Sequence, residues 1–161
     1  MACDQLDDYA GRASVNLIYG HSEQVAAWVA EHIPDVGAEG FSSPVAAIGV
    51  ATDHLVAGVC YHDYQPKFGT IQLSMAAISP IWARRPIIHA LLAYPFEQLQ
   101  CFKVWTATAL DNVKAIKVNE HVGFKREAIL AHQFGQNRHA VIMRLLRPDY
   151  LRLYGELNGQ V

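Results

Sequence analysis

The clearest pattern in the chain is an alternation that begins just after Gly69. Ile71, Leu73 and Met75 fall on one side, and Gln72, Ser74 and Ala76 on the other. A period of two predicts a strand with one face in a core. The alternation slips at Ala76-Ala77-Ile78, as expected where an extra residue bulges out and splays a strand. Beyond Ser79-Pro80 the period changes: Pro86 followed by apolar residues at 88, 92, 96 and 99 predicts a helix. Pro86 suits its first turn, where a missing N–H has no partner to lose. Pro95, inside the stripe, is expected to remove one backbone hydrogen bond and kink the helix between 91 and 94.

Either side of this unit the same reasoning places the other elements. Residues 1–14 are expected to form a loosely held arm, 15–19 a short strand, and 21–33 a helix with Val25, Trp28, Val29 and His32 on one face. Pro34, Gly37 and Gly40 then break the chain into a loop. Two strands rich in Val, Ile and Ala, 46–52 and 55–64, are separated only by Asp53-His54 and read as a hairpin. After the central helix come a strand over 104–109 and a helix from Val113 to Val122, with Asp111-Asn112 as its cap and Gly123 as its stop. Strands over 125–134 and 140–146, joined by the polar 135–138 loop, precede a short closing helix at 148–157. A meander of antiparallel strands followed by strand–helix crossovers predicts one α/β (α+β) domain spanning 1–161.

Composition narrows the functional classes. With 161 residues, 52% hydrophobic and 17% charged, the chain suits one compact domain, and its net charge of −2 argues against general nucleic-acid binding. Arg84, Arg85, Arg138, Arg144 and Arg147 are the residues a nucleic-acid reading would use, but no aromatics are interleaved with them. Cys3, Cys60 and Cys101 form no CxxC pair and read as reduced thiols of a cytoplasmic protein. No apolar run reaches membrane-spanning length, so no membrane association is expected. Eight histidines, among them His54 and His62 on one hairpin and His132 and His139 on another, show no zinc spacing, and no metal is expected. A Ser-His-Asp arrangement has no GxSxG turn to support it. His32, His89 and His121 read as partly exposed helix residues; His132 is either a plain strand histidine or one facing an acceptor cleft.

Two features carry candidate chemistry. Arg84 and Arg85 fall at a helix N-terminus, where the dipole disfavours cations. They are either solvated surface arginines or part of an anion site built on free amides. Asn112 and Asn119, with Ala115, lie on one face of the 113–122 helix. Asn112 is a helix cap, a ligand contact, or both.

The run Asn112-Val113-Lys114-Ala115, continuing to Val122-Gly123-Phe124-Lys125-Arg126-Glu127, resembles the N-x-x-A…GF-x-x-E run of the GNAT superfamily of N-acetyltransferases, in its ribosomal-protein and antibiotic branch. The 82–85 and 94–99 segments are similar to small phage-borne acetyltransferases. The resemblance implies the GNAT fold: a mixed, mostly antiparallel sheet with a bulged, splayed central strand and helices on both faces. It further implies acetyl-CoA as co-substrate, no metal, and a primary amine acceptor: a small molecule, a nucleotide-derived amine or a protein N-terminus. A homodimer is compatible with it. The pantetheine arm would meet Ala76, Ala77 and Ile78, and the pyrophosphate Arg84, Arg85, Pro86, Ile87 and Ile88. Asn112 and Asn119 would approach the cofactor arm and thioester. The phosphate loop departs from the family's Q/R-x-x-G-x-G/A, because 83–88 holds neither glycine. Gln72 stands at the family's glutamate base and Asn119 at its tyrosine acid, so neither role is filled by a titrating group. The catalytic candidates are therefore Gln72, Ser74, Asn119 and His132, with the amine expected to lose its proton to water along Gln72 and Ser74. The acceptor would lie between 26–41 and 131–139. The alternative is a GNAT-like fold that has lost catalysis and binds CoA or a partner.

Overall fold

A computed structural model describes residues 14–42 and 45–156. The expected N-terminal arm, apart from residue 14, and Cys3 lie outside them. Among the described residues, seven strands form one sheet in the order β1-β2-β3-β4-β5-β7-β6. The strands are β1 (Asn16–Ile18), β2 (Ala46–Ala51), β3 (Leu55–Gln65), β4 (Thr70–Ala77), β5 (Lys103–Ala109), β6 (Lys125–Leu130) and β7 (Ala140–Leu146). The helices are α1 (Ser22–His32), α2 (Arg85–Ala93), α3 (Val113–Val122) and α4 (Arg147–Tyr154). Every pairing is antiparallel except β4 with β5.

That one parallel pair shapes the molecule. It holds only over Thr70–Gln72 against Lys103–Trp105, after which the strands diverge and leave the expected V-shaped opening. The bulge is not where the slip in alternation put it. β4 stays in register with β3 from Gln72 to Ala77, and the ladder continues as the Ile78 N–H donates to the Val56 carbonyl (2.8 Å). The slip instead reflects which face is covered: Ala76 is buried beneath α1 with Val25, Val29, Ala47 and Cys60. The irregularity lies in β3, where Asp63 and Tyr64 together oppose Ile71, between the His62–Gln72 and Gln65–Thr70 pairs.

Alternation sorts the two faces. Cys60 and Ala76 pack against α1, while Val59, Tyr61, Ile71, Leu73 and Val104 join Ile88, Leu91, Leu92, Phe96, Ile116 and Val122 in the main core. α1 therefore covers one face, over β2 to β4, and α2 and α3 cover the other. The central helix is α-helical to Ala93 and then opens into a π-helical turn, Tyr94–Gln98, where Pro95 supplies no N–H. The expected strand over 125–134 ends at Leu130, because the chain turns through residues 131–134 and His132 takes a left-handed φ of 57°. The closing helix ends at Tyr154.

The Asn-to-Glu run that carries the resemblance is largely architectural. The Asn112 side chain accepts from the Ala115 N–H (3.2 Å), capping α3. Gly123, at φ 120°, ends it in a conformation closed to other residues, and Phe124 is buried. Glu127 holds Lys103 of β5 (2.7 Å) and Arg144 of β7 (3.7 Å). Among the described residues no helix is long and apolar enough to cross a membrane, and no group of His, Cys, Asp and Glu could hold a metal ion.

Candidate active site

Strand edges are normally paired because an unmatched N–H or C=O inside a protein is costly. Here the split between β4 and β5 leaves two edges facing each other across a cleft of about 600 Å³. The Ile78-to-Val56 bond fixes the phase of β4: its even residues bond to β3 and its odd residues turn their amides toward β5, where that of Leu73 closes the last rung of the parallel pair on the Trp105 carbonyl and those of Met75 and Ala77 reach the opening. Likewise the Leu110 N–H donates to the His139 carbonyl (2.9 Å), so the even residues of β5 bond to β7 and Ala107 faces the gap. Ile78 is therefore not an open amide, and by the same phase neither is Ala76. The cleft is lined from Gln72 to Met75 rather than at Ala76–Ile78. Ala77 and Ile78 are exposed at the far end of β4.

Because the opening passes through the sheet, both faces contribute to it. From the α3 side come Asn112, Ala115 and Asn119. The Asn119 amide donates to the Thr106 and Thr108 hydroxyls (3.4 Å each), which holds it at the inner wall. From the α1 side come Gln72 and Ser74, with residues 32–37 and 40–42 as a roof and Gln133 and Phe134 at the far rim. Thus Gln72, Ser74, Asn112 and Asn119 are brought together. His132 is not: its Nδ1 accepts from the Asn137 N–H (2.9 Å) and its own N–H donates to His139 (2.9 Å), so it organises the β6–β7 loop.

Two residues missed by sequence reasoning complete the α1 side. His62, 7% exposed, lines the cleft beneath the Phe41 ring (centroids 5.1 Å apart). Its Nε2 lies 2.8 Å from Ser74 Oγ and its Nδ1 2.8 Å from Asp63 Oδ2. His62 and Ser74 are diagonal neighbours on one face, since His62 pairs with Gln72 and Ser74 with Cys60. Adjacent residues on a regular strand point to opposite faces, so Asp63 reaches His62 only because β3 is bulged there and Asp63 takes φ 53°. The H-D pair was visible in the sequence, but its partnership with Ser74 needed the register.

The mouth is tied by Arg138, which donates to Asp35 of the roof (2.5 Å) and, through Nε and Nη2, to Asp111 at the end of β5 (3.3 and 3.2 Å). These hydrogen bonds hold the Asp111 carboxyl below the usual carboxylate range and push the Arg138 guanidinium further up. Arg147 is also engaged internally, on the carbonyls of Phe96 and Cys101.

A second, shallower groove of about 440 Å³ runs between Trp82–Ala83 and α3, lined by Val113, Lys114, Lys117, Val118 and His121. Arg84, which follows the lining residue Ala83, occupies the N-cap position of α2 without a side-chain capping bond. Arg84, Lys114 and Lys117 are exposed and, among the described residues, make no ion pair. Arg85 is not free in this way: its guanidinium donates to the Leu153 carbonyl and stacks 5.2 Å from the Tyr154 ring centroid. Of the amides from Arg84 to Ile88, Pro86 has none, and those of Ile87 and Ile88 already donate to the Arg84 carbonyl (3.0 Å each). Ile88 itself is buried in the main core.

No protein-family model and no curated protein sequence matches the chain. Solved structures do. Spermidine/spermine N-acetyltransferase SpeG from Vibrio cholerae, in complex with manganese ions, overlays at a TM-score of 0.67 with 16% identity, over 86% of this chain and 95% of that one. A dodecameric structure of the Vibrio cholerae spermidine N-acetyltransferase gives 0.66 with 16% identity, over 87% and 98%. A point mutant of SpeG gives 0.58 with 23% identity, over 68% and 70%. With the splayed parallel pair and helices on both faces, these overlays show that the chain has the GNAT fold.

Proposed function

We propose that this protein transfers an acetyl group from acetyl-CoA to a primary amine. The observation that carries the reading is the pair of open strand edges facing each other inside the sheet. An extended arm with its own amides, such as pantetheine, pairs with such an edge as an added strand would. The open N–H of Met75 then also serves a thioester carbonyl, polarising it as an oxyanion hole does. Asn119 stands on the opposite wall.

The nucleotide end suits the second groove, where Trp82, Val113 and Val118 offer apolar surface and Lys114 and Lys117 positive charge, with Arg84 following the lining residue Ala83 in sequence. This replaces most of the role a glycine loop would have. The amides of Ile87 and Ile88 are spoken for, so phosphate binding rests on side-chain charge more than on a backbone cradle. Acceptor recognition falls to the α1 side. The carboxylates there are already held, Asp35 by Arg138 and Asp63 by His62, and Phe41, Phe134, Ile33 and Pro34 supply apolar wall. That lining favours an amine carried on an apolar or aromatic body over a polycation. Spermidine, the substrate named for the structural neighbours, is the comparison amine.

Calorimetry with CoA and acetyl-CoA, followed by thiol release with a panel of primary amines that includes spermidine, tests the proposal. Binding of acetyl-CoA with turnover of at least one amine is expected. Failure to bind either form of CoA would overturn it, and tight binding without turnover would point to a binding module instead.

A further inference from the structure

We infer that Asp63, His62 and Ser74 form a proton relay in which His62 is the general base of the transfer. The inference rests on the acetyltransferase reading above. It supplies the base that neither Gln72 nor Asn119 can provide.

The geometry assigns the direction of the relay. An ionised carboxylate only accepts hydrogen bonds, so Asp63 Oδ2 at 2.8 Å places the neutral imidazole's proton on Nδ1. Nε2 is then left with its lone pair, and the contact at 2.8 Å is the Ser74 hydroxyl donating to it. His62 is nearly buried beneath Phe41, whereas Ser74 is half-exposed on the cleft wall and is the end that meets an acceptor. Two structural expenses surround the arrangement: a bulge in β3 and a left-handed Asp63. Bulges of this kind re-aim side chains beside active sites, and strained backbone gathers there. The other charged or titratable groups lining the cleft are His32, whose Nδ1 is bonded to the Trp28 carbonyl (2.7 Å), and Asp35, which is paired with Arg138.

The proton balance closes without a further reactant. The acceptor ammonium gives one proton to Ser74 Oγ as the hydroxyl proton passes to His62 Nε2, leaving an imidazolium opposite Asp63. The freed amine attacks the thioester carbonyl, a C–N bond forms and the C–S bond breaks. The departing thiolate takes up a second proton from nitrogen, and the imidazolium returns its proton to solvent. Ser74 touches the substrate, His62 holds the proton, and Asp63 is a positioning residue.

The test uses the full chain, acetyl-CoA, and spermidine or the best amine of the panel. Asp63→Asn is the most informative variant, because Asn tolerates the left-handed conformation equally well while its amide can donate and reverse the imidazole tautomer. It and His62→Gln are expected to lower kcat by about 10²–10³-fold, within the range of a placed base, with acetyl-CoA affinity by calorimetry unchanged. The acid limb of kcat/KM against pH should reduce to the amine's own ionisation in His62→Gln. Ser74→Ala should lose rate but keep the histidine limb. Long-range proton–nitrogen NMR should find His62 protonated at Nδ1 in the wild type and at Nε2 in Asp63→Asn, a readout that needs no turnover. Wild-type His62 protonated at Nε2, or His62→Gln with wild-type rate and pH profile, overturns the relay while leaving the acetyltransferase reading intact. An acetyl group found on Ser74 by mass spectrometry after acetyl-CoA alone also overturns it, in favour of a covalent route. A wild type that binds no acetyl-CoA defeats the underlying reading, and the NMR result still decides the relay's geometry.

Discussion

Tyr61→Phe removes a single oxygen, and the structure says what that oxygen does. In an α-helix the Leu91 carbonyl would accept from the N–H four residues on, but that residue is Pro95. The Tyr61 hydroxyl takes its place, donating to the Leu91 carbonyl at 2.6 Å from across the core. Tyr61 is 2% exposed, so no water can substitute, and burial pushes its hydroxyl well above the usual tyrosine range, which keeps it protonated and donating. Removing the donor leaves a buried carbonyl unmatched, at a cost of about 2 kcal/mol, within the ~1–3 kcal/mol for such groups. For a domain of this size that is a fall of about 4–8 °C in Tm. The decisive assay is a double-mutant cycle by urea denaturation. Pro95→Ala restores a backbone donor, so Tyr61→Phe should cost about 1 kcal/mol less in that background. An equal cost in both backgrounds would refute the claim that Tyr61 stands in for the missing N–H.

Four further outcomes are expected. Gly58→Ala would set a Cβ 2.7 Å from Val29 Cγ2 and 3.1 Å from Val25 Cγ1, both stiff β-branched side chains, and should destabilise by about 1–3 kcal/mol in chemical denaturation. Cys60, whose thiol burial pushes up from 9.0 to about 12, stays protonated in the fold while the unfolded chain ionises; stability should fall as pH rises from about 9 toward 12, by up to about 1.4 kcal/mol per pH unit from this group, and Cys60→Ala should flatten that slope. Arg84→Ala with Lys117→Ala should weaken CoA binding by about 1–3 kcal/mol at low salt, while Arg85→Ala, whose guanidinium is turned onto α4, should leave it unchanged in calorimetry. Arg138→Ala should raise the acceptor KM with little change in kcat, and high salt should mimic it without adding to it, because the clasp is a half-exposed ion pair.

Much of the fold was legible because periodicity is a local property. α3 and β7 match their sequence bounds, and the helix stripe at 88, 92 and 96 and the disturbance at Pro95 follow from residues close together in the chain, whereas the splay is a relation between β4 and β5 that the slip in alternation did not report. What misled was a pattern with two physical causes. A slip in alternation arises from an inserted residue or from a strand buried on both faces, and Ala76 beneath α1 is the second case. Arg85 shows the same limit. Its place at a helix N-terminus was readable, but α4, 68 residues away in sequence, determines where its charge goes.

The site was half legible for a reason that lies in the sheet itself. Asn112 and Asn119 share one helix, and Gln72 and Ser74 share one strand, so each pair has a spacing that can be read. The link between Ser74 and His62 is a diagonal across two strands, fixed by register, and the link from His62 to Asp63 contradicts strand geometry unless β3 is bulged. A bulge between adjacent residues leaves no periodic trace when the following residues, Tyr64 and Gln65, are exposed in any case. The sequence pattern put a bulge in β4, beside the expected thioester, whereas the molecule places it one strand over, on the side proposed for the acceptor. Opening the sheet needs no bulge in β4, because the parallel pair simply ends after Gln72. The irregularity in β3 is thus free to serve the other half of the site: it turns Asp63 onto His62 and leaves the β4 ladder intact, so the amide of Met75 keeps its aim into the cleft.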